Sequence, residues 1–475
     1  MIINNRKMRS AWSTPTAWLL LLLVSLGGCG GGGGGSSTPS SNSTPVEEVA
    51  SCDVASQKRF IDDVIDDWYL WYGELADVNA ADYDDPNSYL QALTAPLAVD
   101  GRDPGFSYLT TAAADQASLS SGAYIGFGFR YGFDANNAFR FSDVLEGSPA
   151  GDADLRRGDK VLAIAIGDEF ETIAELGARD ATTLEVFGDN EVGVERRFKV
   201  EREDDVFEVA LLKRELSTPP FAGQPLLLSR AGMDPIGYLH FRSFITDAEP
   251  LLVEMARTFR DANVTDLIID LRYNGGGLLS VAEQLLNIFA GELGEGDDSY
   301  RISHNDKRTS ENVSVKFEVP DVALSPRRMA FIVTEGTASA SELVINAVSP
   351  YVDTVLVGSD TFGKAVGQYA FDQTGCENRL RLVAFETLNG EGQGGYYTGL
   401  VDTGRFTLCP AADDITREFH DPEEASLRTA VNWLNSGSCA VTSSAQKGAS
   451  ARQLSSDWSL RHQSQLIQGR SPWLQ

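Results

Sequence analysis

Hydrophobic positions change their period three times along this chain. Between Cys52 and about Leu119, Phe60, Val64, Trp68 and Trp71 recur every three or four positions, as on one face of a helix, and the stripe reads as core. From 120 to 215 short apolar runs (125–131, 138–144, 160–166, 194–200, 206–213) are broken by Gly and Asp turns, which predicts β-strands. After "STPP" at 217–220, strands and helices alternate to about residue 439. Three segments there share one design. "DLIIDLR" (266–272) is a buried strand, "YNGGG" a glycine turn and "LLSVAEQLLNIFA" (278–290) an amphipathic helix. "MAFIV" (329–333) leads through "TEGTASAS" into a helix over 342–348, and "TVLVG" (354–358) leads into the loop "SDTFGKAVGQ". Strands separated by helices imply parallel pairing with right-handed crossovers, so all three loops fall on the carboxyl edge of one sheet. That edge is where open α/β sheets hold their sites.

Composition and the chain ends set the context. With 475 residues and 42% apolar content the chain can build two to four domains with real cores. Residues 1–28 carry Arg6, Lys7 and Arg9, an apolar run from Trp18 to Val24 and small residues up to Cys29. This is the plan of a secretory signal, too short to span a bilayer comfortably. "LGGC" resembles a bacterial lipobox, which implies cleavage before Cys29 and acylation of its sulfur. No acidic residue follows Cys29, so the same resemblance implies an outer-membrane rather than an inner-membrane address, facing the periplasm. Residues 29–51 read as a Gly/Ser-rich linker and 441–475 as a disordered tail. The net charge of −29 becomes −32 once the three basic residues of the signal are removed, which argues against nucleic acid and anionic lipid surfaces as partners.

The remaining cysteines, Cys52, Cys376, Cys409 and Cys439, allow up to two disulfides in an exported protein, with three possible connectivities. The pairing expected here is Cys376 with Cys409 and Cys52 with Cys439. None has zinc-site spacing, and no H-E-x-x-H pattern occurs, so no metal or organic cofactor is expected.

The chemistry concentrates at "GTASASE", where Thr337, Ser339 and Ser341 precede a helix. Ser339 and Glu342 have the S-x-x-E spacing of a capping box. The same position can also display a nucleophile, because the free amides of a helix start can hold an oxyanion. Lys364 can act as the base if burial lowers its pKa towards neutrality, and Gln368 can hold its amine without adding charge. The glycine turn supplies uncovered backbone amides for an oxyanion hole. A Ser-His-Asp triad would need one of His240, His304, His420 or His462 near Ser339. Of these only His240 is on a strand entering the region, and it reads as a packing or cleft residue.

These motifs resemble those of the C-terminal processing (tail-specific) proteases, which use a Ser/Lys dyad. Their S-A-S-A-S-E reads T-A-S-A-S-E here, and their T-F-G-K-G-x-V-Q reads "TFGKAVGQ", with the 25-residue spacing kept. The resemblance implies Ser339 as nucleophile, Lys364 as base, Gln368 as its orienting partner, and the amides of Gly276 and Ala340 as oxyanion donors. Ala365 and Gly275 depart from the family pattern without removing a reacting group. "YIGFGF" and "GSPAGDADLRRGDKVLAI" (147–164) resemble a PDZ domain, with the amides of Ile125, Gly126 and Phe127 receiving a peptide's terminal carboxylate. Tyr124 stands where the first loop glycine would be.

The implied fold is multidomain α/β: a helical N-terminal subdomain (52–119), a β-rich PDZ domain (120–215) and an α/β, crotonase/Clp-like catalytic domain (216–440). The implied function is a lipid-anchored endopeptidase acting on the C-terminal tails of exported proteins. The alternative is a non-catalytic PDZ peptide-binding or scaffold lipoprotein on a decayed protease fold.

Overall fold

The computed structural model describes residues 1–2 and 51–439. The rest of the signal, Cys29, most of the linker and the tail beyond residue 439 lie outside the described residues. No helix among the described residues is long and apolar enough to cross a membrane.

The helical region opens with Val54–Trp68, capped by Asp53, whose carboxylate accepts the Ser56 amide. Its fully buried face is Ile61, Ile65 and, just past its end, Tyr69, one position on from the aromatic stripe seen in the sequence. Phe60, Val64, Trp68 and Trp71 are half-buried around that core instead. The difference follows from what lies beneath: the helix packs on Leu380, Leu382 and Val383 of a long strand, Asn378–Asn389, and the larger rings border this contact. The strand Tyr108–Thr111 joins the same sheet, pairing antiparallel with Asn378–Asn389. This region is therefore built into the body of the protein rather than tethered to it.

The β-rich region has strands Phe129–Phe133, Phe139–Val144, Lys160–Ala165, Glu195–Arg202 and Asp205–Leu212 in that spatial order. They match the five predicted runs to within a few residues. Phe129–Phe133 ends the ladder, so one of its edges pairs with no strand among the described residues. The core beneath is dominated by phenylalanines, with Phe129 and Phe141 at 4.7 Å and Phe127 stacked on Phe129 at 5.8 Å between ring centroids.

The third region holds a six-stranded sheet. Met233–His240, Asp266–Asp270, Arg328–Val333, Asp353–Gly358 and Leu408–Pro410 run parallel, and Leu226–Arg230 closes one edge antiparallel. Their continuous apolar runs fit a sheet covered on both faces. Leu279–Ala290 and Ala340–Val348 pack on one face, and Ala425–Ser436 contributes Leu427, Ala430 and Trp433 to the other. The three motif loops share one edge, as the alternation of strands and helices predicts.

The disulfides correct the expected pairing. Cys52 bonds Cys376, and Cys409 bonds Cys439, with Cα–Cα separations of 5.7 and 5.2 Å. Cys376 sits in the turn between Val366–Asp372 and Asn378–Asn389, on the sheet that carries the helical region, so its neighbour is the segment just before the first helix. Cys409 lies in the last parallel strand, beside the chain that leaves the final helix.

Candidate active site

Of the three hydroxyls before the helix, two are spoken for. Thr337 Oγ1 donates to the Leu271 carbonyl at 2.8 Å and Ser341 Oγ to the Asn274 carbonyl at 3.0 Å, which staples this turn to the glycine turn. Ser339 stands between them with φ 63° and ψ −115°, a backbone conformation that costs a non-glycine residue on the order of 1–3 kcal/mol. The surrounding bonds hold it there: Glu342 Oε2 accepts the Ser339 amide at 2.8 Å. The side-chain oxygen of Ser339 receives the α-amine of Met1.

Glu342 also accepts the amides of Gly363 at 2.7 Å and Lys364 at 2.8 Å, so one buried carboxylate fixes the serine turn and the lysine loop together. Burial raises its pKa to about 7, against the opposing pull of these donors. Lys364 Nζ donates to Gln368 Oε1 at 3.0 Å. Gln368 Nε2 donates to the Phe106 carbonyl, so the amide can present only its oxygen to the lysine. Burial lowers the Lys364 pKa to about 8, while the carboxylates of Asp103 and Glu342 resist the shift. The Phe106 ring, 4.3 Å from Nζ, forms part of the wall that keeps water away. Ser339, Lys364, Gln368 and the three glycines line one cavity of about 630 Å³.

Residues 235–399 match the profile described as Peptidase family S41, and residues 56–108 that of the Peptidase S41 N-terminal domain. The chain thus carries peptidase S41 family domains. A carboxyl-terminal-processing protease of Synechocystis sp. (strain PCC 6803) is 28% identical over 252 residues, covering 53% of this chain and 55% of that protein. A protease of the same name from Picosynechococcus sp. (strain PCC 7002) is 24% identical over 252 residues, covering 52% of this chain and 57% of its own length. The matches thus span little more than half of each relative. The crystal structure of an S41 protein from Bacteroides fragilis NCTC 9343 aligns over 80% of this chain and 97% of its own, with a TM-score of 0.62 and 23% identity. It shares the fold.

Within this S41 domain the predicted oxyanion donors differ from each other. The Ala340 amide, first in its helix, donates to no acceptor among the described residues. The Gly276 amide donates to Asn274 Oδ1 at 2.9 Å. Glycine is nevertheless required there: at φ +96°, a Cβ would lie 2.7 Å from the Ala340 nitrogen and 2.8 Å from Ser339 Cβ. His240 packs against Phe419, with ring centroids 4.1 Å apart and neither nitrogen bonded among the described residues. Burial lowers its pKa to about 4, so it stays neutral near pH 7. Ile125, Gly126 and Phe127 lead into the edge strand Phe129–Phe133, and Tyr131, Gly132 and Phe133 of that strand line the same cavity as Ser339. Among the described residues no group of three or more His, Cys, Asp or Glu has metal-holding geometry.

Three participants escaped the sequence reading. Phe106 and Asp103 come from the helical region, more than 250 positions before the lysine, and Glu342 reaches beyond its own helix cap to the lysine loop. Only the S-x-x-E spacing announced any of them.

Proposed function

We propose that the chain is a serine endopeptidase in which Ser339 attacks the scissile carbonyl and Lys364 takes its proton, later returning one to the leaving amine. The observation that carries this reading is Lys364 itself, half-buried, lowered towards neutrality and aligned by Gln368 in the cavity that holds Ser339. A neutral amine donating to Gln368 keeps its lone pair for the serine proton. The Ala340 amide supplies one oxyanion contact, and the Gly276 amide joins it when it leaves Asn274.

The substrates in this reading are exported proteins cut near their C-termini; the relatives from Synechocystis and Picosynechococcus are named for carboxyl-terminal processing. The region 120–215 acts as a PDZ domain in this reading: a tail pairs with the open edge of Phe129–Phe133, and its carboxylate meets the amides of Ile125, Gly126 and Phe127. That edge borders the cavity holding Ser339, so capture and cleavage share one space. A lipid on Cys29 would hold the enzyme at the bacterial envelope, facing the periplasm.

An active-site acylating probe should label Ser339 and fail on Ser339→Ala. Amidating a peptide substrate's C-terminus should weaken its capture by roughly ten- to a hundredfold, the worth of a charge-assisted hydrogen bond, while labelling is unchanged. Labelling that persists in Ser339→Ala would remove the nucleophile assignment, and equal handling of both peptides would remove tail reading.

A further inference from the structure

We infer that the cleft next to Ser339 is built for the leaving side of the substrate, with an enclosed apolar subsite for the residue directly after the cut and a backbone clamp on the residue following it. This rests on Ser339 as the nucleophile. Met1 and Ile2, which belong to the signal segment that cleavage before Cys29 would remove, occupy the cleft here as a stand-in ligand and show what it accepts. The Met1 amine donates to Ser339 Oγ, the Met1 carbonyl accepts the Gln368 amide at 2.8 Å, the Ile2 amide donates to the Gly277 carbonyl at 3.0 Å, and the Ile2 carbonyl accepts the Leu279 amide at 3.0 Å. Ile2 thereby runs parallel to two flanking segments at once, through bridges to Gln368 and Leu278.

Chemically, these atoms stand in for a product. In acylation the Ser339 Oγ–carbon bond forms, the carbon–nitrogen bond breaks, and the serine proton passes by way of Lys364 to the departing nitrogen. The released segment then begins with an amine next to Ser339 Oγ, which is where the Met1 amine lies. Its surroundings suit a neutral amine: burial, then the charge of Lys364, pushes it well below the ordinary range of an α-amine. Met1 is therefore equivalent to the first residue after the cut and Ile2 to the second.

The two positions differ in kind. Met1 is 1% exposed and belongs to the main apolar core, whereas Ile2 is half-buried at its margin. A cationic side chain at the first position would be buried beside the like charges of Lys364 and Arg381, which already act on the Met1 amine, and a very small one would leave part of the space unfilled. At the second position the side chain matters less than the backbone N–H, which the Gly277 carbonyl requires. Gly277 is fixed in turn: at φ +142°, a Cβ there would come within 2.3 Å of the Phe244 carbonyl oxygen. Proline or an N-methylated residue at the second position cannot supply that donor.

The test is a set of peptides identical up to the cut and varied after it: Met, Leu, Gly or Lys at the first position, and Ile, N-methyl-Ile or Pro at the second. Lys in place of Met should lower kcat/KM by at least about tenfold, and N-methyl-Ile in place of Ile by about tenfold, as expected for a stranded charge and a lost buried hydrogen bond. The amide of the tripeptide Met-Ile-Ala should inhibit competitively, and its N-acetyl form at least about tenfold more weakly, because acetylation blocks the amine at Ser339. Labelling of Ser339 by the acylating probe is followed in parallel. Intact labelling with no preference at either position, or equal inhibition by the free and acetylated tripeptides, overturns the subsites while leaving the nucleophile in place. Loss of labelling overturns the functional reading beneath them.

Discussion

Lys364→Arg should reduce kcat/KM by at least about a thousandfold, although the positive charge is retained. The reason is protonation state. A guanidinium cannot release its proton near neutral pH, whereas Lys364, its pKa lowered by burial to about 8, is neutral in part at pH 7 and mostly at pH 9. The wild-type rate should therefore rise with pH through one apparent pKa near 8 and level off above it. The same burial has a stability consequence of opposite sense. A lysine whose folded pKa lies below its unfolded value of about 10.4 binds fewer protons folded than unfolded between those limits, so the fold gains stability as pH rises from about 8 to 10. Below that window the half-buried lysine costs at most about 3 kcal/mol, reduced by solvent screening and by its bond to Gln368. Lys364→Met should thus be inactive yet raise the melting temperature at pH 7, with the gain shrinking at pH 10. An active arginine variant, or a methionine variant that melts lower at pH 7, would contradict a neutral buried base.

How much of this site could be read from the sequence depended on range. The glycine turn, the serine turn and the lysine loop were legible because each follows a continuous apolar run, and parallel pairing then leaves no choice about which edge they share. Thr337 and Ser341 were visible as hydroxyls, but their partners, the carbonyls of Leu271 and Asn274, lie on another strand's loop. No local period records such a bond. Phe106 and Asp103 were hidden for the same reason: a core phenylalanine and a turn aspartate look ordinary until the helical region is seen built into the sheet that carries Gln368. The Cys52–Cys376 bridge depends on that same attachment, which explains why a pairing reasoned from sequence missed it. The aromatic stripe was misplaced by one position because hydrophobicity marks a face, and only the packed strand beneath decides which residues on it are central.

Arg272→Met should destabilise the fold by roughly 3–5 kcal/mol and reduce activity along with it. The Arg272 side chain is completely buried. Its guanidinium bonds Asp270 at 2.7 Å, Glu424 at 2.9 Å and Asp413 at 3.1 Å. Asp413 keeps a second partner in Arg157 from the β-rich region, at 2.9 Å, but Asp270 and Glu424 depend on Arg272 for their nearest positive charge. Methionine fills much of the volume and leaves those two carboxylates buried without a cation, held only by the Tyr238 hydroxyl and the residue-272 amide at Asp270 and by the Leu427 and Asp414 amides at Glu424. The sign of the pH effect follows from Asp270. In the wild type its pKa is lowered to about 2, burial opposing and the arginine prevailing, so its contribution is present above the unfolded value near 3.9 and lost as pH falls towards 2. Without the arginine, burial alone should raise that pKa above the unfolded value, and the carboxylate then costs stability as pH rises. Denaturant unfolding should accordingly show the largest gap between the two proteins near pH 7 and a smaller one near pH 4. Arg272→Met combined with Asp270→Asn should recover part of the loss, because it removes the charge that was stranded. The site would feel the change through the chain itself: Leu271, next to this cluster, offers the carbonyl that anchors Thr337, and Asn274 anchors Ser341. A loosened glycine turn would therefore release both staples on either side of Ser339. If the single variant unfolds like the wild type at both pH values, the buried cluster is not what holds this edge of the sheet.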